Sequence, residues 1–188
     1  MWRAGRIAMR PYRSPAVPTT PPGQFDLIHA RLVLIHVAAR EQALERLAAA
    51  LKPGGWLVIE DFDPTFVDPT GPVGNEADAV LFRKMGAALG RLLVAHSGPL
   101  AVSWGRGLFR RLQACGLTDV GMEGYLAVRT GGSSGARLMA ANYQQIRSEA
   151  VAAGFVTDDE VSRVLTLLAD PTFAFQSTTM FSAWGRRG

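Results

Sequence analysis

The chain has 188 residues, 48% of them hydrophobic and 19% charged, with one cysteine and three histidines. That is enough apolar material for one folded domain. It excludes a disulfide framework, a cysteine-rich zinc site and a His-rich metal centre, and no apolar run reaches the length of a membrane span. The net charge of +4 sits in the first 24 residues, where Arg3, Arg6, Arg10 and Arg13 precede the first carboxylate, Asp26. The remainder is balanced, so the charge does not point to a nucleic-acid-binding face on the folded part.

Residues 1–20 are rich in arginine and proline and have no helical or strand period, so an irregular basic tail is expected there, followed by a domain over 21–188. The tail reads as a solvated segment, as a stretch foreign to the fold, or as an arm for an anionic partner; it has no aromatic platform for stacking bases. Phe25-Asp26-Leu27-Ile28-His29-Ala30 predicts a short strand after a Pro-Pro-Gly turn, and Arg31–Val37 either extends it or starts a helix. Over 39–52, Ala43, Leu44, Leu47, Ala48 and Leu51 repeat at helical spacing. Pro53-Gly54-Gly55 ends that helix. Trp56-Leu57-Val58-Ile59-Glu60 is apolar at both alternating positions, which predicts a strand buried on both faces, as in a parallel sheet covered by helices. Strand, helix and strand together make a right-handed crossover unit. Asp61-Phe62-Asp63 leaves the carboxyl end of the second strand, where open α/β sheets bind ligands.

A loop over 63–74 leads to a helix at about 75–95 with Leu81, Met85, Leu89, Leu92 and Leu93 inward. A shorter helix at 104–114 places Leu108, Leu112 and Cys115 inside. Residues 117–128 alternate as a strand, and 133–153 form a helix ended by Gly154. Thr157 with Glu160 three residues on is a capping box for a further helix to Leu168. Phe173–Trp184 reads as one closing strand.

The run FDLIHARLVLIHV, then a helix, then LKPGGWLVIEDFD resembles the second half of a class I S-adenosylmethionine (SAM)-dependent methyltransferase: the family's fourth strand, and its proline-glycine turn into the fifth. The later GLTDV strand and the closing strand ending Trp-Gly-Arg-Arg resemble the sixth and seventh. The resemblance covers about 21–188. It implies an α/β, Rossmann-like sheet of strands 4 to 7 with flanking helices. The family's glycine-rich cofactor loop and the acidic residue after its second strand have no counterpart here, so strands 1 to 3 are expected to be missing. The fourth strand would then be an open apolar edge, and the chain would be marginally stable, self-associate through that edge, or need another polypeptide.

The resemblance implies a SAM-dependent methyltransferase, cytoplasmic, truncated and impaired alone; a non-catalytic remnant or partner subunit is the alternative. SAM would be the cofactor and a small organic molecule the acceptor, with no nucleic acid, membrane or metal involved. His29, Ala30 and Arg31, where the fourth strand ends, would line the cofactor, against a hydrogen-bonded strand histidine and a surface ion pair as bland readings. Glu60, Asp61 and Asp63 would contact substrate, orienting a hydroxyl or amine, against solvated loop carboxylates. His36 is expected to be structural, Cys115 buried and inert, and Tyr125, Tyr143 and Phe62 are further candidates for substrate contact. No catalytic side chain is assigned, because alignment for in-line attack does most of the work in methyl transfer.

Overall fold

The computed structural model describes residues 23, 25–64, 68–69 and 75–188. The sequence-predicted tail over 1–20 and most of the 63–74 loop lie outside them.

Strand β1 (Phe25–Arg31) starts after Gly23, whose φ of 77° uses the left-handed freedom of glycine. The segment after it neither extends the strand nor begins a long helix. Leu32 turns at φ 56° and Leu34–His36 makes one 3-10 turn. Helix α1 (Arg40–Ala50) buries Leu44 and Ala48 and ends at Leu51, earlier than Pro53. The Lys-Pro-Gly-Gly run belongs instead to the start of β2 (Leu51–Asp63). Gly54 sits at φ 80°, and a Cβ at Gly55 would lie 2.9 Å from the Phe25 carbonyl oxygen, so this turn needs glycine to bring β2 against β1.

Helix α2 (Glu76–Ser97) is capped by Asn75, whose side chain accepts from the Asp78 amide. Two 3-10 turns (Pro99–Ser103 and Gly105–Gly107) lead into the short α3 (Leu108–Ala114). The expected long strand over 117–128 divides into β4 (Leu117–Tyr125) and β5 (Val128–Thr130). Helices α4 (Ser134–Ala152) and α5 (Asp158–Ala169) follow, the latter with the predicted Thr157–Glu160 capping box. The expected closing strand is also two strands, β6 (Ala174–Gln176) and β7 (Thr179–Arg187).

The main sheet has the order β1-β2-β7-β4. β1 and β2 are parallel, with Arg31 beside Glu60; β7 runs antiparallel to β2 and to β4. A two-residue strand, β3 (Asp68–Pro69), forms a second sheet with β6 and β5 in the order β3-β6-β5. This is the mixed α/β, Rossmann-like arrangement expected from the sequence.

Two cores follow from this layout. Leu57, Ile59 and Ala183 on one face of the main sheet pack with Leu44 and Ala48 of α1, Leu108 and Leu112 of α3, and Trp104, all buried. A second core joins α2, α4 and α5, with Phe82, Phe173 and Phe175 in mutual contact at 5.1–6.0 Å between ring centroids. Arg163 to Asp78 and Lys84 to Glu160 tie α5 to α2 across that core's rim.

The expectation that β2 is buried on both faces fails. Leu57 and Ile59 are inaccessible, but Trp56 is 37% exposed, and Val58 and Glu60 are half-buried. α1 and α3 pack on the Leu57 and Ile59 side. The other face carries Leu27 of β1, Trp56 and Val58 of β2, and Trp184 of β7, and the Trp184 ring lies across Gly121 of β4.

Candidate functional site

The parallel pairing of β1 and β2 sets their carboxyl ends side by side on the open face. Because side chains alternate along a strand, His29 and Arg31 point to the same face of β1, and Glu60 faces Arg31 across the ladder. His29 Nε2 lies 2.9 Å from Glu60 Oε2, and Arg31 Nη1 lies 3.7 Å from the same oxygen. From the other side, the Ser182 hydroxyl on β7 donates to Glu60 Oε1 at 2.8 Å. These hydrogen bonds, Ser182 first and His29 second, hold the Glu60 carboxyl below its ordinary range and keep it ionised. Glu123 of β4 stands opposite Ser182 in register, so a second acid extends the polar row.

The expected trios are therefore divided. Ala30 turns away from His29 and Arg31 and packs against the core under α1 and α3. Asp61, next to Glu60, also turns inward. It is 1% exposed, and its Oδ2 accepts from the Trp104 indole at 3.0 Å. Burial pushes its pKa up to about 6, against the opposing Trp104 hydrogen bond, the nearby Ile35 and Leu34 amides, and Arg40. Its Oδ1 has no hydrogen-bond partner, and neither has Nη1 of the buried Arg40. Arg40 and Arg111 stack over Trp104, at 5.8 and 4.6 Å from its ring. Asp63 lies on the same inward side, in an ion pair with Arg106 at 2.5 Å. Of the three acids predicted to contact substrate, only Glu60 faces the open side at the strand ends.

Among the other candidates, His36 closes its 3-10 turn at the surface, with a pKa lowered by partial burial and by Arg40. Tyr125 is 63% exposed, whereas Tyr143 is inside the α2–α4–α5 core with its hydroxyl unpaired. Cys115 is half-buried, and burial raises its thiol pKa, which keeps it protonated and unreactive at neutral pH. A groove of about 520 Å³, lined by Glu41, Ser103, Arg106, Arg110 and Arg111, lies on the helix-covered side and away from Glu60. Sequence reasoning missed Ser182 and Trp104. Their partners lie 122 and 43 residues away, and no local signal marks either contact. Among the described residues, no group of three or more His, Cys, Asp or Glu is placed to hold a metal ion, and no helix is long and apolar enough to cross a membrane.

A model of the methyltransferase domain matches residues 7–119, more than half of the chain. The chain belongs to this methyltransferase family. The match spans β1, α1 and β2, with His29, Arg31 and Glu60 but not Ser182, and begins inside the segment read from sequence as a tail. Two curated methyltransferases of Strobilurus tenacellus, str3 and str2, are similar over short stretches. Str3 is 44% identical over 43 residues, which are 23% of this chain and 16% of the relative; str2 is 49% identical over 39 residues, or 21% and 14%. Among solved structures, a putative methyltransferase from Bacillus halodurans aligns with TM-score 0.48 and 12% identity, over 89% of this chain and 66% of that one. Phosphoethanolamine N-methyltransferase 2 of Haemonchus contortus, solved with SAM, aligns with TM-score 0.41 and 14% identity, over 89% of this chain and 34% of that one. The chain thus spans less than a fifth of the curated relatives in the matched stretches, and about a third of the Haemonchus enzyme.

Proposed function

We propose that this methyltransferase-family chain serves SAM-dependent methylation of a small organic molecule, with cofactor and acceptor placed against the Glu60 face at the carboxyl ends of β1 and β2. The observation that carries this reading is the convergence of His29, Arg31, Glu60 and Ser182 there, at the end of a parallel strand pair where α/β sheets bind ligands.

The charges suit the amino-acid end of SAM. Glu60, ionised and held from both sides, would accept from the cofactor's ammonium or ribose hydroxyls. Arg31, whose side chain is 59% exposed, would pair with its carboxylate. SAM supplies a methyl group already activated on a sulfonium, so the protein's part is to fix the acceptor in line and exclude water. His29 steadies the Glu60 carboxylate. The mainly apolar segments 64–104 and 130–172 favour a small organic acceptor over a nucleic acid. Asp61 and Asp63 take no part in this reading, because Trp104 and Arg106 occupy them on the far side of the sheet.

One observation favours the alternative, a non-catalytic methyltransferase-like subunit: Glu60 is already satisfied within the protein, by Ser182 and His29. A calorimetric titration of the folded 188-residue chain with SAM and with S-adenosylhomocysteine separates the two. Saturable binding that Glu60→Gln weakens at least tenfold, about 1.4 kcal/mol, supports the cofactor site. A folded sample that binds neither compound selects the subunit reading.

A further inference from the structure

We propose that the groove between α1 and α3 binds the phosphoryl group of a small phosphomonoester, at a site separate from the Glu60 face and independent of the cofactor reading. Both walls belong to described elements. Glu41 comes from the first turn of α1, and Ser103, Arg106, Gly107, Arg110 and Arg111 come from the segment that runs through the 3-10 turns into α3. The volume of about 520 Å³ falls in the range of small-molecule sites.

The chief donor is Arg111, and the local sequence holds it in place. A helical side chain leans toward the helix N-terminus and covers the residue about four positions earlier. That residue is Gly107, where a Cβ would overlap Arg111 Nη1. Glycine therefore lets the guanidinium lie against the backbone, 4.6 Å from the ring centroid of the buried Trp104. The Arg111 side chain is only 19% exposed, and its Nε donates to Glu41 Oε1 at 2.9 Å. Among the described residues its two terminal nitrogens have no hydrogen-bond partner. Folding has thus already ordered a long side chain while leaving its outer donors for a ligand.

The surroundings select the kind of anion. Arg110 stands exposed at the rim and meets no carboxylate among the described residues, where the Ser103 hydroxyl also has no hydrogen bond. Arg106 is fixed by its ion pair with Asp63 and by the Val102 carbonyl. Three arginines against Glu41 and Asp63 leave an excess of positive charge. A planar carboxylate is matched by a single guanidinium fork. Donors arriving from α3 and from the 3-10 turn before it, a hydroxyl among them, suit a tetrahedral oxyanion with oxygens on several sides. The groove is larger than a phosphate ion, so it has room for the organic part of the ester.

The test is titration of the full chain with glycerol 3-phosphate, followed through the arginine Nε–H resonances of nitrogen-15-labelled protein. Ionic strength is held constant, because salt screens exposed charges. Saturable binding with Kd of about 1 mM or tighter is expected, with the Arg111 resonance among those that move. Glycerol, acetate and a single-stranded oligonucleotide without a terminal phosphate are expected to bind more weakly by about tenfold or more. Gly107→Ala keeps every charge and displaces the Arg111 guanidinium, and is expected to weaken binding about tenfold with an unchanged circular dichroism spectrum. Arg110→Gln removes an exposed side chain that no described contact uses, so it tests the site even if Gly107→Ala fails to fold; a loss of roughly fivefold is expected. No saturation by about 20 mM, undiminished binding in either folded variant, or acetate or the oligonucleotide binding as tightly as glycerol 3-phosphate would each overturn the proposal.

Discussion

The buried carboxylate of Asp61 makes stability depend on pH in the direction opposite to the hydrogen-bonded acids Glu60, Asp78, Asp158 and Glu160. In the folded protein its pKa is raised from 3.8 to about 6, chiefly by burial. Between those values the folded state holds a proton that the unfolded chain releases, so stability falls as pH rises through this window. Its contribution is complete below about pH 4 and gone above about pH 7. A shift of about two units corresponds to about 3 kcal/mol. Four acids act the other way: Glu60, Asp78, Asp158 and Glu160 have pKa values lowered by their hydrogen bonds and add stability as pH rises from the acid side. The Asp61 component is therefore isolated by difference. Asp61→Asn keeps an acceptor for the Trp104 indole and removes the titration. Urea unfolding of both proteins between pH 4 and pH 7.5 is expected to show the wild type losing about 3 kcal/mol relative to the variant across the window. A difference that stays flat with pH, or that favours the wild type increasingly above pH 6, would refute the buried-acid argument.

Three other perturbations follow from contacts already described. Thr157→Ala removes the hydroxyl that accepts from the Glu160 amide at 3.2 Å; a loss of about 1 kcal/mol is expected in urea unfolding, with the m-value unchanged. Gly105→Ala would place a Cβ 2.7 Å from the Phe62 carbonyl oxygen and 2.8 Å from that of Asp61. Backbone must then shift under Trp104, and a loss of about 1–3 kcal/mol is expected by thermal denaturation, with Trp104 losing its Asp61 partner. Phe82→Ala empties the centre of the three-ring cluster and should cost about 3–5 kcal/mol; a loss below about 1 kcal/mol would show that the α2–α4–α5 core is not well packed.

What the sequence disclosed and what it hid divide along a physical line. Signals that act within a few residues were legible: the Thr157–Glu160 box, the glycine turn at Gly54 and Gly55, and the strand–helix–strand order that makes β1 and β2 parallel. The period-two alternation of strands was also available, and it bears directly on the site. Consecutive residues of a strand cannot share a face, so His29, Ala30 and Arg31 cannot form one wall, and Glu60 and Asp61 cannot act together. The grouping by proximity in sequence failed there for a reason that sequence alone contains. The open face of β2 was different. Trp56 and Val58 are apolar, and an apolar strand position reads as buried whether or not an element covers it; only the positions of α1 and α3 on one side separate the two cases. The break between β6 and β7 was hidden for a related reason, since Ser177 leaves the strand by donating its amide to the Ala127 carbonyl, a contact set by the second sheet. Ser182 became part of the site through the antiparallel register of β7 with β2, and a shift of one residue would have turned its hydroxyl into the core. The chemistry at Glu60 thus depends on register, the long-range property least encoded in local sequence. The reversed pH slope expected of Asp61, one residue away, tests the same register, because it requires that side chain to stand on the buried face.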